Sequence, residues 1–152
     1  MLIVDRPADL DAHVGRELGP SDWITVDQAM IDRFAEATGD RQWIHVDVGR
    51  AQRELPSNRT IAHGYLTLSL LPVMIDQIWR IEICSRRINY GANKLRFTNA
   101  VPAGARVRLH QKLLSVEPCG SDGRRLVLLS TVEIEGEKRP ALVAEILSLV
   151  FP

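Results

Sequence analysis

His63-Gly64-Tyr65-Leu66-Thr67-Leu68-Ser69-Leu70-Leu71-Pro72-Val73-Met74-Ile75-Asp76-Gln77-Ile78-Trp79 is the stretch on which the fold turns. Tyr65, Leu66, Leu68, Leu70, Leu71, Val73, Met74, Ile75 and Ile78 cover nearly every side of a helix drawn through it. A helix that is apolar all round must be surrounded by the rest of its chain. The reading is a buried helix from about 63 to about 79. Pro72 should kink or break it, because proline has no N–H and its ring clashes with the carbonyl four residues back.

What surrounds the helix lies downstream. Val107 and Leu109 alternate with Arg106, Arg108 and His110, and Leu126, Leu128, Val132 and Ile134 alternate with more polar positions. Period-two alternation is the mark of a strand with one buried face. Residues 141–151 read as a strand apolar on both faces, and Asn89–Phe97 as one more. Turn-forming residues separate these runs: Pro102-Ala103-Gly104, Gly120-Ser121-Asp122-Gly123 and Glu135-Gly136-Glu137. The expected class is α+β, an antiparallel sheet wrapped around a central helix. Such a sheet has an open edge, and pairing with a second copy would close it.

Upstream, Thr25 and Gln28 have the spacing of a capping box. Val26, Ala29, Met30, Phe34 and Ala37 follow at helical spacing, and Gly39 can take the left-handed turn that ends a helix. A helix over about 26–38 is expected. Residues 40–62 read as irregular, with a short helix over Val48–Glu54 and loop chemistry at Leu55-Pro56-Ser57-Asn58-Arg59.

Composition bounds the rest. The chain of 152 residues is one domain by size, read as 1–152, with 45% apolar and 25% charged residues. Lys plus Arg equals Asp plus Glu at 19 each, which argues against a nucleic-acid partner. Cys84 and Cys119 read as two free thiols. No basic start leads into an apolar run, so no signal peptide is expected. The longest uncharged apolar run, Gly64–Ile75, is short of the ~20 residues of a membrane span. The expectation is a cytoplasmic protein without a membrane span.

The chemistry sits in two blocks. Gly39-Asp40-Arg41-Gln42-Trp43-Ile44-His45-Val46-Asp47 puts a carboxylate and an imidazole five residues apart on what reads as a non-helical connector. Thr60-Ile61-Ala62-His63-Gly64 puts a glycine in the first turn of the apolar helix. Backbone N–H groups there are unpaired and the helix dipole favours negative charge. An acid/base pair with an oxyanion donor is the minimum equipment for adding water to an activated double bond or removing it. The chain therefore reads as a hydratase or dehydratase of acyl thioesters. Asp40, His45 and Gly64 are the catalytic candidates. Gly64 has no side chain to obstruct the thioester. His45, Asp47 and His63 have no further partner at ligand spacing, so no metal is expected. Ser69 lacks a nucleophile elbow, which argues against serine hydrolysis.

These blocks resemble the MaoC-like, R-specific enoyl-CoA hydratase family. Its motif runs roughly Asp-x-Asn-Pro-x-His-x-Asp, followed by a His-Gly pair. Asp40, His45, Asp47 and His63-Gly64 keep the pattern, while Gln42 and Trp43 replace the Asn and Pro. The Gln-Trp-Ile-His-Val-Asp variant, with Ile88-Asn89-Tyr90-Gly91 and Asn93-Lys94-Leu95-Arg96-Phe97 downstream, is similar to the branch of nodulation-protein-N-like and mycobacterial hydratases. The resemblance implies a hot-dog fold, normally dimeric. It implies a coenzyme A or acyl-carrier-protein thioester as substrate, no separate cofactor, and (R)-specific hydration of trans-2-enoyl-CoA or the reverse dehydration in fatty-acid metabolism. It places Gln42, Ile61, His63 and Asn93 toward the substrate. Two alternatives stay open: an acyl-CoA thioesterase on the same fold, which would want a carboxylate on the central helix, and a non-catalytic acyl-thioester-binding subunit.

Overall fold

In the computed structural model, which describes residues 1–152, the apolar segment forms two helices rather than one: α4 (Gly64–Ser69) and α5 (Leu71–Ile78). The break is at Leu70, and Pro72 sits in the first turn of α5, where its missing N–H costs nothing. Leu66, Leu71, Met74, Ile75 and Ile78 are buried, but Tyr65 is 66% and Val73 50% exposed. The helix is therefore surrounded on one side only, and its other side is open in the single chain.

The sheet supplies the covering side. Four long antiparallel strands carry it: β5 (Arg86–Phe97), β6 (Ala105–Cys119), β7 (Gly123–Ile134) and β8 (Leu142–Phe151), in spatial order β6-β7-β8-β5. Val107, Leu109 and Leu113 of β6, Leu126, Leu128 and Val132 of β7, and Leu142, Ala144 and Val150 of β8 face the core. Residues 142–151 were expected to be apolar on both faces. They alternate instead: Leu142, Ala144, Ile146, Ser148 and Val150 are buried, and Val143, Glu145, Leu147 and Leu149 are only partly so. Strand β5 begins at Arg86, three residues ahead of the expected start, and pairs only with β8, so its other edge is free.

The N-terminal residues add elements that local patterning had not indicated. β1 (Leu2–Val4) pairs in parallel with β4 (Trp79–Ile81) directly after α5, as a two-stranded sheet separate from the antiparallel one. A 3₁₀ helix spans Pro7–His13. β2 (Glu17–Leu18) and β3 (Ile24–Val26) both pair with β6. Thr25 thus lies in a strand and makes no capping box. α1 is Gln28–Thr38, capped by Asp27, whose carboxylate accepts the Met30 N–H at 2.8 Å. Gly39 ends it in the left-handed region at φ 79°, as its position suggested. One cluster of 26 buried apolar residues, from Leu2 to Val150, unites these layers. Each fully buried large side chain in it is stabilising by about 1.5–3 kcal/mol relative to exposure. No helix is long and apolar enough to cross a membrane.

Candidate active site

Two connections after α1 build the site. The Asp40–His45 connector is not wholly irregular: Trp43–Val46 forms one helical turn, α2, and Val48–Glu54 forms α3. The Asp47 carboxylate accepts the Arg50 N–H at 2.9 Å and so caps α3, which explains an acid at that position without a catalytic role. The turn of α2 lies against Thr60–Ala62. The Ile61 N–H donates to the Ile44 carbonyl at 3.0 Å, and the Ala62 N–H to the Val101 carbonyl at 2.8 Å.

His45 is 7% exposed. Its Nδ1 lies 2.6 Å from the Ile61 carbonyl oxygen. A carbonyl can only accept, so Nδ1 carries the proton and the neutral ring leaves Nε2 bare. Burial holds the ring's pKa below its ordinary 6.5, the Ile61 hydrogen bond opposes this, and the neighbouring His63 adds to it. His63, 3% exposed, stacks on His45 with centroids 3.7 Å apart and planes at 24°. Its Nε2–H donates to the Asp40 carbonyl at 2.9 Å, its Nδ1 has no partner, and the Phe34 ring lies 5.0 Å away. His63 therefore ties the end of α1 to the helix that Gly64 opens.

The Asp40 side chain is 55% exposed, with one oxygen 4.0 Å from His63 Nε2. Donor atoms of Asp40, His45 and His63 lie within 4.8 Å of one another. Three such atoms invite a metal reading, but the ring geometry opposes it. Nearly parallel imidazole planes stacked 3.7 Å apart do not meet within a metal–nitrogen bond of about 2.0–2.1 Å. The spacing would instead let one water reach two of these groups, since each hydrogen bond spans about 2.8 Å.

Gly64 is the first residue of α4, so its N–H has no acceptor within the helix. It lines a cavity of about 410 Å³ with His45, Ile61, Thr67, Phe97 and Val101. Packing adds a constraint on this glycine. The space a Cβ would take is held by the Phe97 ring, whose Cγ would lie 2.7 Å from it. Aromatic packing thus excludes a side chain there.

The structure thus brings Asp40, His45, Ile61, His63 and Gly64 together. It does not bring in the other two candidates. Gln42 is exposed and its side chain makes no hydrogen bond. Asn93 is exposed on β5 opposite Glu145 and does not line the His45 cavity. Gln28, Thr60 and Phe97 were missed. Gln28 carries a polar clamp, and Phe97 ends a strand whose register no local pattern reveals.

Residues 9–123 match the family model described as MaoC like domain. Over 145 residues, 95% of each chain, the sequence is 47% identical to 3-hydroxyacyl-thioester dehydratase Z of Mycobacterium tuberculosis. The chain belongs to the MaoC-like family. It is also 44% identical over 144 residues to Nodulation protein N of Rhizobium leguminosarum bv. viciae, covering 94% of this chain and 89% of the relative. The solved (R)-hydratase from A. caviae shares 21% identity and superposes with a TM-score of 0.70, covering 89% of this chain and 94% of its own. That likeness shows that this MaoC-like chain has the family's hot-dog fold.

Proposed function

We propose that this MaoC-like protein hydrates trans-2-enoyl thioesters to (R)-3-hydroxyacyl thioesters, or runs the reverse dehydration, on coenzyme A or carrier-protein substrates in fatty-acid metabolism. The observation that carries this is the bare Nε2 of a buried, neutral His45 in one cavity with the free N–H end of α4, beside the Asp40 carboxylate. The name of the mycobacterial relative supports the reaction class.

In the hydration direction, one water gives its two hydrogens to Asp40 and His45 Nε2. The thioester oxygen takes the Gly64 N–H. Water oxygen attacks Cβ, the C=C π electrons move to Cα, and negative charge spreads onto the held thioester oxygen. The proton left with the acid/base pair is returned to Cα. One C–O and one C–H bond form, and one water O–H bond and one C=C π bond are lost. No metal or separate cofactor is needed in this sequence. A thioesterase would want a carboxylate on the helix beside the thioester. The first on it is Asp76, near the far end of α5 and bound to Arg87 at 2.6 Å. The two free thiols fit a reducing compartment such as the cytoplasm.

Incubation with crotonyl-CoA tests the reading. Loss of enoyl absorbance with formation of the (R)-3-hydroxy product is expected; the (S) product or release of free CoA would overturn it. The pH profile has a defined sign. Burial favours the neutral form of His45, so turnover should hold at pH 7 and fall only below 6.5, as the base takes up a proton. Stability should fall in the same window, because the unfolded chain binds that proton more readily than the folded one.

The active unit is a homodimer. The free edge of β5 carries exposed Ile88 and Tyr90, and beside it an apolar groove of about 430 Å³ runs past Leu68, Leu71, Ile75 and Ala92. A second β5 across a two-fold axis would pair the edge and cover both. Sedimentation should give twice the 17.0 kDa of one chain; an active monomer at micromolar concentration would exclude the dimer.

A further inference from the structure

Gln28 links three parts of the site by one carboxamide. Its Nε2 donates to the Asp32 carboxylate and to the His45 carbonyl, each at 2.8 Å. Its Oε1 accepts the hydroxyl of Thr60, a residue 1% exposed. The chemistry of the neighbours fixes the orientation of the amide. Turned over, its oxygen would face two acceptors and its N–H₂ would face a hydroxyl in place of them. Asp32, one turn along α1, holds the rotamer; the other two bonds reach 17 and 32 residues away.

Those two bonds meet at the same junction from opposite sides. The His45 ring is held by the carbonyl of Ile61, the residue that follows Thr60. The His45 backbone is held by Gln28. The distance between the α2 turn and the Thr60–Ile61 segment sets where His45 Nε2 points, and Gln28 bridges that distance from the first turn of α1. The half-buried amide does not line the cavity and touches no reacting atom.

We propose that Gln28 is a positioning residue for His45, acting with Thr60 to keep the imidazole in its Nδ1–H tautomer and in line with the bound water. The inference rests on the hydratase reading for its kinetics, but not for its spectroscopy. Without the clamp the α2 turn keeps only its bonds to Ile61 and shifts against Thr60. The bond from Nδ1 to Ile61 lengthens, and the proton is shared between the two nitrogens. The substrate's own contacts are untouched.

The test uses the full-length protein and crotonyl-CoA, with Gln28→Ala, Gln28→Glu, Thr60→Val and Thr60→Ser. Gln28→Ala should lower kcat about 10- to 100-fold with KM within about 3-fold, the scale on which a small misplacement acts. Gln28→Glu should not rescue, because a carboxylate can accept from Thr60 but cannot donate to the His45 carbonyl. Thr60→Ser should keep near-normal kcat and Thr60→Val should not. The ¹⁵N shifts of His45, read without substrate, should show Nδ1–H in the parent and a tautomer mixture in Gln28→Ala. Normal kcat in Gln28→Ala, a change confined to KM, or an unaltered His45 tautomer would each overturn the proposal. Should Gln28→Ala fail to fold, the Thr60 pair decides by the same readings. A parent protein inert toward crotonyl-CoA would refute the hydratase reading and leave the ¹⁵N comparison to judge the clamp.

Discussion

Replacing His45 by glutamine is expected to lower turnover by about 10²-fold or more, the usual scale for losing a positioned acid or base. The side chain stays polar and near its size, so the cavity it lines is not emptied. What goes is the bare, basic Nε2 that the bond to Ile61 leaves available. Asp40→Asn should fall on the same scale, because a neutral amide can still accept a hydrogen bond but has neither the charge nor the basicity to take up the water's proton. The double variant should be little worse than the poorer single one if both groups act, as proposed, on one water and one proton path. Stopped assays with crotonyl-CoA and melting curves for each variant check this. Either single variant with near-normal turnover would remove that residue from the mechanism, and strictly multiplicative losses would deny the shared water.

Much of the fold was legible because its signals are local. The alternation of Val107 and Leu109, or of Leu126 and Leu128, is a property of a few neighbouring residues, and the core accepts those side chains as read. The same holds for the left-handed Gly39 and the end of α1. Errors arose where two local signals compete. Thr25 and Asp27 can each cap a helix, and pairing of Ile24–Val26 with β6 takes Thr25 into a strand and leaves Asp27 to cap. The α4–α5 segment looked buried all round because its composition does not say which residues the chain covers and which it leaves open. The pairing of Leu2 with Trp79 joins residues with no shared local pattern, so β1 and β4 gave no advance sign.

The site divides in the same way. Asp40, His45 and Gly64 were legible as residue types at a spacing suited to one reaction. Gln28 was seen only as a capping partner, because its neighbours His45 and Thr60 become neighbours when the chain folds. Gln42 and Asn93 were carried in by the resemblance alone, and the geometry leaves both outside the His45 cavity.

Gly64→Ala should damage both stability and turnover through a single added methyl group. A Cβ there would sit 2.7, 2.8 and 2.9 Å from three ring carbons of Phe97, well inside ordinary contact. The ring cannot retreat with its backbone. Phe97 pairs with Leu142 in the ladder, and the next N–H, of Thr98, donates to the Ala141 carbonyl at 2.9 Å. Either the ring swings away, losing its edge contact with Tyr65 at 5.5 Å, or the first turn of α4 moves. Overpacking of this kind costs about 1–3 kcal/mol, which for a chain of this length lowers Tm by roughly 2–4 °C per kcal/mol. On the proposed mechanism a displaced α4 would also take the Gly64 N–H off the thioester oxygen, and losing one such donor costs about 10²–10³ in kcat. Adding Phe97→Ala separates the two effects. It removes the clash, so the double variant should regain turnover relative to Gly64→Ala if the position of the N–H is what was lost. Gly64→Ala with parental turnover would deny the N–H its role, and a double variant as inactive as the single would place the defect elsewhere than the Phe97 contact.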